Sequence, residues 1–322
     1  MEGSVMRLKS NRFNSNSLAK YQRRKKILDL FVQQLLRFMG ILAASMVIII
    51  FVFIFKRGIS VFLPDYGTNQ VSIAQFLTGF VWDANKQIYG VLFIVINTII
   101  TAFFAMILAF PVSVLTALFI AKIAPKKLAQ FLTTVIELLA AIPSIVYGVF
   151  ASGVIVPFID QFAASLGYAT FGGRSMLAVV VLLAMMVLPT MTSLSIVAIK
   201  AVDQNLELGS LALGASQTQT NFKVVLTSAK SGITTGLILG LARAFGEATA
   251  VSMVAGNKPI GPTWNPFDIT RTLTSTMLSG MKETSGVDYD IRFSVGIVLM
   301  IIIFGSNLLI HYFKRKVGTD AQ

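Results

Sequence analysis

The 322-residue sequence predicts an all-α integral membrane protein with six transmembrane helices. Three observations carry this prediction: composition, the length of the apolar runs and the placement of basic residues. The chain is 55% hydrophobic and 13% charged, with a mean hydropathy of +0.77, whereas soluble domains carry about 25% charged residues. Its apolar runs are long enough, at roughly 1.5 Å per helical residue, to cross a hydrocarbon core of about 30 Å. There are 27 Lys and Arg against 14 Asp and Glu, a net charge of +13. In a soluble chain that balance suggests nucleic acid. Here the basic residues fall between the apolar runs, as the positive-inside rule requires of a membrane protein, and no nucleic-acid partner is expected. With no Cys and only His311, disulfides, thiol catalysis and zinc–thiolate sites are excluded, as are most histidine metal and acid–base constellations. Neither a metal nor a catalytic residue is expected.

Residues 1–37 read as a basic cytoplasmic segment, with the stretch 10–17, rich in Asn and Ser, disordered. The RRKK run at 23–26 could bind anionic membrane lipid, though its commoner role is to hold this end in the cytoplasm. The run 38–55 lacks a small-residue cleavage site and reads as a retained first span. Residues 56–88 mix Gly58, Pro64 and Asp65 with Tyr66, Phe80 and Trp82, which suits an external loop containing a short interfacial helix. The core, 89–313, then holds five spans. The first is 89–121, with Pro111 as a kink, and it ends at Lys122, Lys126 and Lys127. The next is about 128–159, with Glu137 in its first third and Pro143 in mid-course; an external turn with Gly167, Gly172 and Gly173 follows. The others are 176–199, about 232–256 and 293–313, with an external loop over 257–291 and a basic tail over 314–322. Six spans with both termini cytoplasmic put most of the 27 Lys and Arg on one side, together with the polar loop 200–231. The result is a multi-pass protein of the cell membrane.

The chain is organised around residues 201–257. Their polar first half contains a helix over 203–216, in which Leu206, Leu208, Leu211, Ala212 and Leu213 alternate with Asp203, Gln204, Glu207 and Ser210, and Gly214 allows a sharp turn. Such a helix can lie in a partner's groove or rest on the membrane surface; the pattern does not choose. The apolar second half carries Arg243 and Glu247, four apart and so on one face of a continuous helix. A charge at bilayer depth costs about 2.5–3.5 kcal/mol on insertion scales. Either Arg243 meets an anion while Glu247 orients it, or the two neutralise each other in helix packing. Glu137 is a third deep charge, a structural contact or a partner of Arg243. Ala140, Ala141, Gly148, Ala151, Ser152 and Gly153 suit close helix packing.

Three stretches resemble one family. They are ELLAAIPSIVYG at 137–148; the loop from ALGA at 212–215 to KSGI at 230–233; and GLARAFGE at 240–247 with MVAGN at 253–257 and RTLT at 271–274. The chain is similar to the permease subunits of ABC importers and, through the third stretch, to the PstC-type permeases of phosphate importers. The resemblance spans most of 90–313 and implies the type I importer permease fold, here with one extra N-terminal span. It implies a second phosphate permease subunit, a dimeric cytoplasmic ATPase that binds the ATP, an extracytoplasmic phosphate-binding protein and inorganic phosphate as substrate, with no cofactor on this chain. It makes the 203–216 helix the coupling element, with Asp203, Glu207, Gly209, Ala212, Gly214 and Ala215 facing the ATPase, and it favours a role for Arg243, Glu247 and Glu137 in the substrate pathway. In the family's EAA loop, aligned on Gly214, the triplet falls on Leu208, Gly209 and Ser210, with Glu207 one position early, and a later proline falls on Thr227. The rival readings are a permease for phosphonate, sulfate or molybdate, a membrane-embedded enzyme, which the lack of Cys and of intramembrane His disfavours, and a subunit that moves nothing.

Overall fold

The computed structural model describes residues 15–66 and 71–318. The expectations for 1–14, including part of the 10–17 stretch, for 67–70 of the external loop and for 319–322 lie outside the described residues. The chain divides into a unit ending at Phe53 and a second from Ile54 onward.

The first unit is the greater part of helix α1 (Ser15–Ser60). The helix extends well beyond the expected span 38–55 at both ends and includes Ser15–Ser17, which the composition had assigned to disorder. No proline interrupts it; Leu, Gln, Lys and Arg on the N-terminal flank, and Lys56 and Arg57 beyond the span, favour helix. None of its most apolar 18-residue window is buried, as suits a surface solvated by hydrocarbon.

The second unit opens with the last turns of α1. There Arg57 pairs with Asp290 at 3.2 Å, Tyr66 donates to the same carboxylate at 2.6 Å, and Ser294 donates to the Gly58 carbonyl at 2.6 Å. Burial, and then the bond to Asp290, push the Tyr66 phenol up to about 12, so it remains a donor. Beyond it lie α2 (Ile73–Thr78) and a two-stranded hairpin, β1 (Trp82–Asp83) and β2 (Ile88–Tyr89), with Trp82 opposite Tyr89. A small core of Phe76, Trp82, Tyr89, Phe93, Leu273 and Ile291 seals this end of the bundle.

Helix α3 (Leu92–Leu118) runs through Pro111 and ends in a π-helical turn, Phe119–Ile123. Helix α4 (Lys126–Ala141) has only 16 residues, about 24 Å at roughly 1.5 Å each. It stops because Pro143 bars Ile142 from helical backbone; Ile142 is extended at φ −64, ψ 126. The expected span 128–159 is therefore two elements. The segment long and apolar enough to cross is Ser144–Ser165, formed by α5 (Ser144–Phe150), a π turn over Ala151–Ile155 and α6 (Val156–Ser165). Helix α7 (Met176–Lys200) starts at a Ser175 cap, whose hydroxyl accepts from the Ala178 amide at 3.2 Å.

The polar loop forms α8 (Gln204–Ala212) and a short turn α9 (Gln217–Gln219), which runs through a π turn, Thr220–Val225, into α10 (Leu226–Gly246). The fifth long helix thus covers Gln217–Gly246. It begins earlier than expected and ends ten residues short of Gly256. Two short helices follow, α11 (Thr249–Val254) and α12 (Leu273–Leu278), before α13 (Val287–Gly318) closes the chain. Among the described residues six helical segments are long and apolar enough to cross a membrane. The main core packs Ala102, Ala105 and Ala109 of α3 against Leu182 and Met186 of α7, with Phe245 and Val251 alongside; small residues let the α3 and α7 backbones approach.

Candidate functional site

Arg243 stands in the last turn of α10. Its guanidinium Nη1 donates to Thr190 Oγ1 at 2.7 Å, one residue beyond Pro189 inside α7. Among the described residues this is its one hydrogen bond, and five N–H donors leave capacity for an oxyanion. Tyr147, buried in α5, donates to the Leu139 carbonyl at 2.9 Å, which also accepts from the Ile142 amide at 3.4 Å, so the carbonyl beside the break at Pro143 has two donors.

Glu247 does not share a helix face with Arg243. The helix ends at Gly246, and Glu247 takes extended backbone, φ −73 and ψ 113. Its Oε1 accepts from the Ala250 amide at 3.0 Å, capping α11, and its carbonyl accepts from Thr274 Oγ1 at 2.7 Å, holding α12. No ion pair joins Arg243 to Glu247 among the described residues. The expectation of a self-neutralising pair fails because i,i+4 proximity needs an unbroken helix.

This joint brings two distant stretches together. A Cβ on Gly148 would lie 2.9 Å from Ala250 Cα and 2.7 Å from Met253 Sδ, so only glycine lets α5 lie this close to α11. Glu137, by contrast, is not a partner of Arg243. It is exposed and lines a cavity of about 500 Å³ with Lys126, Gln130, Thr133 and Lys200. A larger cavity of about 680 Å³ lies among Phe103, Met106, Phe110, Leu237 and Leu241. Its lining carries no charged side chain, so it offers an anion nothing.

In the polar loop, Asp203 caps α8 by accepting from the Asn205 amide at 2.9 Å. Gly214, at φ +83, closes it, with its amide to Leu211 O at 3.0 Å and the Ala215 amide to Ser210 O at 3.2 Å. Gly209, Ala212 and Gly214 are exposed and Ala215 is half-buried. Helix α8 buries no residue, and Leu213 is 91% exposed. Glu207 turns inward and pairs with Lys122. That occupies the carboxylate within the chain, where the resemblance had it facing an ATPase. Thr190, Tyr147 and Lys122 were not singled out as site residues. The signals available were a hydroxyl directly after an intrahelical proline, a tyrosine five residues past a helix break, and a lysine ending an apolar run.

Residues 109–319 match the family described as the binding-protein-dependent transport system inner membrane component. The chain belongs to that family. It is 39% identical over 283 residues to the probable ABC transporter permease protein YqgH of Bacillus subtilis, covering 86% of this chain and 87% of that one. It is 30% identical to the phosphate transport system permease protein PstC of Pasteurella multocida, over 74% of this chain and 79% of the relative. The figures for PstC 1 of Mycobacterium tuberculosis are 33%, 72% and 74%. Among solved structures, a bacterial alginate ABC transporter aligns with a TM-score of 0.61 at 14% identity, over 93% of this chain and 97% of that one. An inward-facing MetNI methionine transporter aligns at 0.51 and 20%, over 72% and 94%. These two likenesses concern the fold, which is that of a type I ABC importer permease. The chain is therefore a multi-pass transport subunit of the inner membrane, and an importer permease works with an ATPase and a substrate-binding protein.

Proposed function

We propose that the chain is a permease subunit of an ATP-driven importer of inorganic phosphate and forms half of its translocation pathway. One observation carries the substrate class: a guanidinium inside the spanning bundle whose one hydrogen-bond partner among the described residues is a neutral hydroxyl, Thr190. Such a cation is expensive at bilayer depth, and it suits a ligand with several charged oxygens, which a guanidinium can grip with two parallel N–H bonds. The PstC relatives support phosphate among the oxyanions.

In this reading phosphate arrives from an extracytoplasmic binding protein and passes between this chain and a second permease near Arg243. Glu247 keeps the α10–α11 joint in shape, and Glu137 stands with Lys126 and Lys200 on the way to the cytoplasm. The segments 1–37, 200–231 and 314–322 are cytoplasmic and 56–88 is external. Helix α8, with Leu206 and Leu208 outward and Leu213 exposed just past its end, docks in the groove of a dimeric ATPase. That ATPase binds and hydrolyses ATP; this chain performs no chemistry and holds no cofactor.

The test is uptake of radiolabelled phosphate by proteoliposomes containing the full complex with ATP supplied to the ATPase side. Arg243→Gln is expected to lower uptake on the order of a hundredfold while the complex still assembles, since it removes charged hydrogen bonds each worth roughly 1.5–3 kcal/mol. An assembled Arg243→Gln complex importing at the wild-type rate makes Arg243 a packing residue. Wild-type complex that moves sulfate or molybdate and ignores phosphate keeps the importer and removes the substrate.

A further inference from the structure

Lys122 and Glu207 are largely buried, their side chains 17% and 13% exposed. No other ion pair joins α8 to the bundle among the described residues. A second tie is the Ser210–Thr220 hydroxyl contact at 2.9 Å. Both anchors lie in π-helical turns: Lys122 in Phe119–Ile123, where α3 ends, and Thr220 in Thr220–Val225, where the helix bearing Arg243 begins. A π turn widens the helix and re-aims its side chains, and such turns concentrate at functional sites. Without a buried apolar residue of its own, α8 has its position set by these polar contacts and its short connections.

Helix α3 in turn reaches the arginine. Ser113 donates to the Leu188 carbonyl at 3.2 Å, two residues before the Thr190 that binds Arg243. A displacement of α8 that moves Glu207 pulls on Lys122, and α3 is packed too closely against α7 to move alone.

We propose that Lys122 and Glu207 are positioning residues that make α8 rigid with α3, so that movement of α8 by a docked ATPase is transmitted to the bundle instead of being absorbed by the loop. This rests on the coupling role proposed above for α8 and assigns Glu207 a partner inside its own chain.

The experiment uses the complete complex in proteoliposomes, with its ATPase and binding protein, and compares Lys122→Met, Glu207→Gln and the exchanged pair Lys122→Glu/Glu207→Lys. The readouts are co-purification of the ATPase, ATP hydrolysis with and without the binding protein, and phosphate moved per ATP. Each single variant is expected to retain the ATPase and its basal hydrolysis while losing about tenfold in phosphate moved per ATP, along with stimulation by the binding protein. The exchanged pair is expected to recover both. Wild-type ratios in the single variants overturn the proposal. So does an exchanged pair that assembles without recovering the ratio, because the pair then serves assembly alone. If single variants fail to assemble, the exchanged pair decides by the same criterion, and its own failure to assemble also overturns the proposal. If wild-type complex moves no phosphate, the substrate reading falls, and the pair is still judged by binding-protein stimulation of hydrolysis.

Discussion

Arg243 and Arg292 are both arginines in apolar surroundings, and the structure treats them in opposite ways. Arg292, in the first turns of α13, is buried and bonded to three backbone carbonyls. It donates to Asp288 O at 3.0 Å, to Thr276 O at 2.8 Å and also to Ser279 O. Arg271 follows the same pattern, bonding Lys258 O at 3.0 Å and Asn257 O at 2.8 Å, with its guanidinium 6.0 Å from the Trp82 ring centroid. Burial, and then the charge of Arg292, pull Arg271 down to about 10, so it stays a cation at neutral pH. Fixed carbonyls take three of the five donors of Arg292 and two of those of Arg271, which locks α12 and its loop to α13 and β1. Arg243 has one hydroxyl. A buried cation held by several backbone carbonyls holds structure; one with a single hydroxyl partner, beside a helix break, keeps more of its donors for a ligand.

The comparison breaks first at Arg292. Arg292→Met should lower stability by roughly 4 kcal/mol, because several carbonyls lose a charged donor in a buried place. Thermal unfolding of the purified chain in detergent checks this, and the surviving protein should transport normally. A midpoint equal to that of Arg243→Gln removes the distinction between the two arginines.

A smaller effect is expected at Glu247. Glu247→Ala deletes the acceptor that caps α11 and should cost about 1 kcal/mol in the same unfolding assay. Glu247→Gln keeps an acceptor oxygen and should transport as wild type. Uptake lost in Glu247→Gln with stability intact means that the carboxylate charge itself serves the anion.

The smallest effect belongs to Thr190. Thr190→Val removes one orienting acceptor and should raise the KM for phosphate about threefold, near the low end for a hydrogen bond, while Thr190→Ser keeps it. Steady-state uptake over a range of phosphate concentrations separates the two. An unchanged KM in Thr190→Val leaves Arg243 oriented by something else.

Much of the architecture was legible in residue order because its causes are local. Apolar runs of crossing length must be helical in hydrocarbon, since no water satisfies their backbone there. Gly214 tolerates a left-handed turn. Pro143 is expected in mid-span; that it ends α4 follows from its restriction of Ile142, and the Tyr147 hydroxyl adds a second donor to the Leu139 carbonyl beside the break. The limits of α10 were misread at both ends. Residues 217–231 are polar but continue the helix, and 249–254 are helix-forming yet belong to a separate element.

The sequence by itself determined a predominantly helical membrane chain, its composition excluding thiol chemistry, and a family resemblance carried on three stretches. Tertiary structure alone decided which charges are partners. Glu247 is spent on α11 and α12, Glu207 on Lys122, and Arg292 on carbonyls sixteen and thirteen residues before it. The reason is physical: a charge in a low-dielectric interior is governed by whatever donors and acceptors the packed helices bring within about 3 Å. Apart from Ala250, three residues from Glu247, those neighbours come from parts of the chain that no local spacing relates.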